Sequence, residues 1–219
     1  MDAAQLKQLV AQAALAHVPA GAILGVGTGS TVDCFIDALA ESGIALAGTV
    51  SSSERSTARL RARGYAVLEA GAVERLPLYI DGADEIDYDG YMIKGGGAAL
   101  TREKIVADLA DEFLCIADES KLVTTLGRYP LPVEIIPMAA AQLSRRFALL
   151  GGRAVLRQGV VTDNGCQILD VHDLAISGPL AFETEVNQWP GVVTVGVFAR
   201  HKAKRCLLGG ADGVRSLNF

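Results

Sequence analysis

Asp81, Asp84, Lys94 and Glu103 are the residues whose types and spacing fit acid–base chemistry. The stretch DGADEIDYDGYMIKGGG, Asp81 to Gly97, holds five carboxylates between Asp81 and Asp89, then one lysine, then three consecutive glycines. The apolar run Leu78-Tyr79-Ile80 leads into it and reads as a buried strand. Asp81 and Asp84 therefore stand at the C-terminal end of a strand, where open α/β sheets place ligands. Glu85, Asp87 and Asp89, farther from the strand, read as a solvated turn. A calcium loop built on Glu85, Asp87, Asp89 and Gly90 fails, because Gly96 falls where a bidentate glutamate must stand and helical flanks are missing.

Lys94 precedes Gly95, Gly96 and Gly97, and a helix follows that Thr101 would cap, with Glu103 in its first turn. Taken alone, a glutamate there compensates the helix dipole, worth roughly 0.3–1 kcal/mol. The glycines change that reading, since they let the helix start lie against a ligand. The helix terminus favours an ionised Glu103 and nearby aspartates oppose it, which can poise a base near its working pH.

A second glycine-rich segment, GVGTGST from Gly25 to Thr31, lies between a strand and a helix. Free N–H groups at the helix start suit a phosphate, and Thr28, Ser30 and Thr31 add hydroxyls beside Gly29. The plain alternative is a tight turn with Ser30 or Thr31 capping the helix. A dinucleotide fingerprint fails because Ser30 stands where glycine is needed and no acidic residue closes the second strand, which ends in Ser51-Ser52-Ser53. The Gly-Lys-Ser/Thr of a Walker loop is absent. Lys121 follows a strand end and could reach the same crevice, whereas Lys7 reads as a solvated helix lysine. His17, His172 and His201 show no metal-ligand spacing.

These residues need a scaffold, and the first 125 or so positions supply one. Leu6, Leu9, Val10, Ala13, Ala14 and Val18 recur at helical spacing. Strands are expected at GAILGVG, IALAGTV, AVLEA, PLYIDGAD and FLCIAD, alternating with helices at STVDCFIDALAES, SERSTARLRARG and TREKIVADLADE. That alternation predicts the α/β class, a Rossmann-like open parallel sheet with helices on both faces. Residues 129–201 then read β-α-β-β-α-β, a small inserted α+β domain of ferredoxin-like, split βαβ type, with a hairpin at Asn164-Gly165 and a final strand GVVTVGVFA. Residues 1–128 and 202–219 would form the catalytic domain.

Composition narrows the partners. At 219 residues and 50% hydrophobic, the chain can bury one large core or a large domain with a smaller one. A net charge of −5 leaves no basic surface for nucleic acid, and no stretch suits a membrane span. The N-terminal residues lack the pattern of a signal peptide. Cys34, Cys115, Cys166 and Cys206 are scattered and form no CxxC, as expected of buried thiols in a cytoplasmic protein.

A phosphate cradle, two aspartates, a lysine and a glutamate suit proton shuffling on a sugar phosphate: a base on one face, groups for two oxygens and a cation for an oxyanion. GVGTGST, DGADEID, KGGGAALTREKIVA, LPVEIIPMA, RQGVVTDNGCQILDV and PGVVTVGVFA together resemble ribose-5-phosphate isomerase of type A over nearly the whole chain. The resemblance implies interconversion of ribose 5-phosphate and ribulose 5-phosphate, without metal or organic cofactor, by a homodimer or homotetramer. It makes Glu103 the base, Asp81, Asp84 and Lys94 the holders of the reacting oxygens, and Thr28, Gly29, Ser30 and Thr31 the phosphate contacts, helped by Lys121 and Lys7. Gly82, Ala83, Gly95, Gly96 and Gly97 would add substrate contacts. Two other classes remain open at this point: a sugar-phosphate sensor, which would need a DNA-binding segment of some 50 residues, and a related amino-sugar-phosphate deaminase or CoA-transferase-like enzyme.

Overall fold

The computed structural model describes all 219 residues. In chain order it contains α1 (Ala3–Ala14), β1 (Ile23–Val26), α2 (Ser30–Ser42), β2 (Gly48–Ser51), α3 (Glu54–Ala62), β3 (Val67–Leu68) and β4 (Leu78–Asp81). Next come β5 (Glu85–Ile86), β6 (Met92–Ile93), α4 (Leu100–Asp108), β7 (Phe113–Asp118), β8 (Leu131–Ile135), α5 (Ala140–Leu149) and β9 (Arg153–Leu156). The chain ends with β10 (Gln167–His172), α6 (Pro179–Val186), β11 (Val192–Val195), β12 (Val197–Phe198), β13 (Arg205–Gly210) and β14 (Gly213–Asn218). It divides into two compact units, Met1–Ala83 with Arg102–Lys121 and Ala203–Phe219, and Asp84–Thr101 with Leu122–Lys202.

The first unit holds the seven-stranded sheet β14-β13-β7-β4-β1-β2-β3, parallel except for the β13–β14 hairpin. From β1 the chain steps one way to β2 and β3, and the other way to β4, β7 and β13. The switch point of this Rossmann-like order therefore lies at β1 and β4. Leu24, Val26, Leu78, Ile80, Leu114 and Ile116 point to one face of the strands and pack with Val10, Ala14, Phe35, Ile36 and Leu39 of α1 and α2. Helix α1 starts in a capping box, with Gln5 N–H donating to Asp2 Oδ1 and Asp2 N–H to Gln5 Oε1, each at 2.8 Å.

The second unit holds the antiparallel sheet β11-β8-β10-β9, the strand order expected of a split βαβ arrangement. Leu131, Val133 and Ile135 on β8 bury one face against Leu143 and Phe147 of α5 and against Val186 and Trp189. The alternate residue, Glu134, is fully buried on the other face. A small sheet, β12-β6-β5, belongs to the same unit.

Two expectations change here. Residues Asp84–Thr101 belong to the compact unit of the inserted domain and not to the first, and the later boundary falls after Lys121 in place of residue 128. The cause is strand pairing, since β6 pairs with β5 and with β12. The stretch GVVTVGVFA is two strands, broken at Gly196. A Cβ there would lie 2.4 Å from the Lys94 carbonyl oxygen and 2.6 Å from that of Pro132, so the backbone is pressed against two neighbours where the pairing partner changes.

Candidate active site

In the first unit, β4 presents Tyr79 and Asp81 to the same face, two residues apart. Two glycines beside β4 make room for them. A Cβ on Gly27 would lie 1.9 Å from the Asp81 carboxyl carbon, and one on Gly25 would lie 3.0 Å from the Tyr79 ring. Both glycines therefore serve the packing of the protein's own side chains. Only Gly29, at φ 114°, is a glycine for its backbone conformation.

Asp81 is fully buried. Its Oδ1 accepts the Thr28 N–H at 3.1 Å and the Gly82 N–H at 2.7 Å, and its Oδ2 accepts the Tyr79 hydroxyl at 2.5 Å. The carboxylate thus ties the end of β4 to the loop after β1, at the switch point. The Thr28 hydroxyl in turn accepts a hydrogen bond from Ser53 Oγ at 2.9 Å, while Ser53 caps α3 through Ser56 N–H at 3.1 Å. Ser53 lies in the serine run whose only sequence signal was the lack of an acidic residue.

Neither Ser30 nor Thr31 caps α2, contrary to the plain reading of the loop. Gly29 occupies the N-cap position, made accessible by its positive φ, so Ser30 and Thr31 fall in the first turn. The N–H groups of that turn have no partner within the helix. Helix α4 begins at Leu100, so Thr101 also lies inside its helix and does not cap it. Its hydroxyl donates instead to the buried Glu134 carboxylate, which also accepts from Thr162 Oγ1 at 2.6 Å and Asn164 Nδ2 at 3.0 Å. Glu103, in the first turn of α4, is 3% exposed. Lys7 on α1 and Lys121 in the turn after β7 are both half-buried, and neither forms a hydrogen bond or ion pair with the Gly25–Thr31 loop.

In the second unit, half-buried Asp84 donates its N–H to Ile93 O at 2.9 Å, and its Oδ2 accepts the Gly96 N–H at 2.7 Å. A Cβ on Gly96 would meet Asp84 Oδ1 at 2.5 Å and the Tyr129 hydroxyl at 2.7 Å. Burial raises the Tyr129 phenol above its ordinary value, and the Asp84 charge adds to this. Lys94 is 3% exposed, with its ammonium 5.5 Å from the centroid of the Phe198 ring. Gly95 at φ 106° and Ala98 at φ 60° wind the chain into a tight turn, closed by Ala98 N–H donating to Gly95 O at 2.9 Å. Arg157 donates to Gly95 O at 3.2 Å and Gly96 O at 3.0 Å, and Asp170 holds its guanidinium in a bidentate pair at 2.8 and 2.5 Å. Gly97 is exposed, and Gly82 and Ala83, in the first unit, are half-buried.

The reading of Glu85, Asp87 and Asp89 as a solvated turn holds for Asp89 alone. Glu85 is 1% exposed because Gly127 N–H and Tyr129 N–H donate to its two oxygens at 2.8 and 2.6 Å. Asp87 closes the turn by accepting the N–H groups of Asp89 and Tyr91, both at 2.9 Å, and burial raises its carboxyl above the ordinary value. The sequence reading singled out none of Tyr79, Tyr129 and Arg157 for a role in the site. For Tyr79 a signal existed, since Gly25-x-Gly27 matches the two-residue spacing of Tyr79-x-Asp81 on neighbouring strands.

The sheet order, with a helix start and a buried carboxylate joined at its switch point, defines a Rossmann-like α/β protein carrying acid–base groups at strand ends. The family model for ribose 5-phosphate isomerase A (phosphoriboisomerase A) matches residues 48–213. The sequence is 68% identical, over 100% of both chains, to the ribose-5-phosphate isomerase A of Methylibium petroleiphilum. The ribose 5 phosphate isomerase A of Neisseria gonorrhoeae superposes with a TM-score of 0.97 at 43% identity, covering 99% of this chain and 97% of that one. A D-ribose-5-phosphate isomerase solved in complex with phospho-erythronic acid superposes with a TM-score of 0.96 at 34% identity over 100% of both chains. The chain belongs to the ribose 5-phosphate isomerase A family.

Proposed function

We propose that this protein interconverts ribose 5-phosphate and ribulose 5-phosphate through an enediolate, with Glu103 as the base that moves a proton between C1 and C2. Asp84 and Asp81 exchange protons with the oxygens on those carbons, and Lys94 stabilises the negative charge that develops. A carboxylate offers about four acceptor sites. On Asp81 those sites take the N–H groups of Thr28 and Gly82 and the Tyr79 hydroxyl. The first turn of α2, with Ser30 and Thr31, takes the phosphate, assisted by Lys7 and Lys121.

The observation that carries this reading is the Thr28–Asp81 hydrogen bond, which joins an anion-suited helix start to an acid–base carboxylate at the switch point of the sheet. Chain continuity supports the assignment of the other residues. Asp84 follows Asp81 by three residues, a span of at most about 11 Å. Glu103 stands two residues after Thr101 on the same helix. Phospho-erythronic acid, bound by the relative described above, joins a phosphate to a carboxylate, the two anionic ends that the enediolate of a pentose phosphate would present.

No step in this scheme needs a metal or cofactor, since Lys94 supplies the cation. The decisive experiment is turnover of ribose 5-phosphate in the presence of a chelator, followed as ketose formation. Absence of turnover overturns the reading. Glu103→Gln is expected to lower kcat by roughly 10²–10⁴ with KM retained. Exposed apolar side chains of the second unit, Met138 at 92% and Leu149 at 87%, support assembly as a homodimer or homotetramer, checked by sedimentation equilibrium. A cytoplasmic setting agrees with four free cysteines.

A further inference from the structure

We propose that Tyr79 is a positioning residue for this reaction: its hydroxyl, donating to Asp81 Oδ2, holds the Asp81 carboxylate in a single orientation. The inference rests on the isomerase reading and extends it to a residue that contacts no substrate. Three observations carry it.

First, the phenol is completely buried, and its hydroxyl lies 2.5 Å from Asp81 Oδ2. Thr28 and Gly82 fix Oδ1, and Tyr79 fixes Oδ2, so rotation about the Asp81 side chain breaks at least one charge-assisted bond.

Second, the ring is itself immobilised. It packs against Phe113 with centroids 4.8 Å apart, and a Cβ on Gly25 would lie between it and the side chains of Val106 and Leu76, 3.0 to 3.2 Å from each. A rigid ring gives its hydroxyl one address.

Third, the hydroxyl is a permanent donor. Burial, then the negative charges of Asp81 on its own strand and Glu103 on α4, push the phenol well above its ordinary value. Those two carboxylates are the charged groups that bear on it; the Ser52 side chain works weakly the other way, and Phe113, Val106 and Leu76 are apolar. A phenol that keeps its proton at working pH orients a carboxylate but cannot serve as a base.

Tyr79→Phe tests the inference, because it keeps the ring and removes one O–H. The expected result is a kcat lowered roughly 10- to 100-fold, the range for one hydrogen bond to a charged group. KM should change less than about threefold. The acid limb of the kcat profile should move to higher pH, because a carboxylate that loses a donor is protonated more readily. Wild-type kcat and an unshifted profile in Tyr79→Phe overturn the inference while leaving the isomerase reading intact. Absence of turnover in the wild type overturns the isomerase reading and this role with it. Should the buried charge left by Tyr79→Phe prevent folding, Tyr79→Phe combined with Asp81→Asn removes that charge. If Tyr79 acts through Asp81, the double variant matches Asp81→Asn alone in kcat, and any further tenfold loss overturns the inference.

Discussion

The two glycine-bearing segments of this chain look alike in sequence and do different work. Gly25 and Gly27 stand opposite Tyr79 and Asp81, two side chains that are fully buried and have nowhere to go. Gly95 and Gly96 form a turn held from both polarities: Asp84 accepts an N–H, and Arg157 donates to the two carbonyls. Gly96 faces the side-chain ends of Asp84 and Tyr129, and neither is fully buried. In the first segment the missing methyl groups are part of a close-packed interior. In the second, Gly95 is likewise packed against Leu100 and Pro132, and Gly96 adjoins groups that remain partly open. Of these four glycines, Gly96 is thus the one that borders partly open side chains.

That difference can be broken experimentally. Gly27→Ala should have the largest effect, since its methyl would lie 1.9 Å from the Asp81 carboxyl carbon. A loss of about 3 kcal/mol or more is expected in chemical denaturation, with activity falling by at least about 100-fold. Gly96→Ala should separate activity from stability, because the atoms it meets are side-chain ends that can turn aside. Its midpoint should fall by about 1–2 kcal/mol, while kcat/KM drops roughly 10- to 100-fold. Equal stability losses in the two variants would erase the distinction.

Smaller changes sharpen the comparison. Glu85→Gln leaves one of the two N–H groups at Gly127 and Tyr129 without its carboxylate oxygen, at a cost of about 1–3 kcal/mol seen in thermal or urea unfolding. Asp87→Asn should be the mildest. One oxygen of Asp87 accepts both of its N–H bonds, and asparagine keeps an oxygen that can do so. The folded carboxyl is raised by burial above its reference value of 3.8. Its contribution is therefore fully present below that value and is lost as pH rises through the folded value. Stability of Asp87→Asn at neutral pH should lie within about 1 kcal/mol of wild type, and the loss on raising pH from the acid side should be smaller in the variant. A carboxyl that titrates like a solvated one would show no such difference.

Much of the scaffold was legible because periodicity is local. The α2 helix was read as STVDCFIDALAES, and it runs Ser30–Ser42. The first helix expected within residues 129–201 appears as Ala140–Leu149. Asp81, Asp84, Lys94 and Glu103 were singled out as candidates from their types and their place after strand and glycine signals. The cap assignments at Ser30 and Thr101 missed because a glycine with positive φ opened one helix, while a buried glutamate 33 residues away engaged the hydroxyl of the other. Glu85 was misread for the same kind of reason. Its partners, Gly127 and Tyr129, arrive from 42 and 44 residues down the chain.

By itself, then, the sequence determined which segments are strands or helices and which residues are candidates for acid–base chemistry, because side-chain type and hydrophobic spacing are read within a few positions. Tertiary structure alone decided which carboxylates are buried and which donors hold them. It placed Tyr79 beneath Asp81, set Ser53 on Thr28, and locked Arg157 onto the carbonyls of the glycine turn. Those outcomes depend on strand order and on long-range hydrogen bonds, and a buried polar group must find its partner wherever the fold brings one.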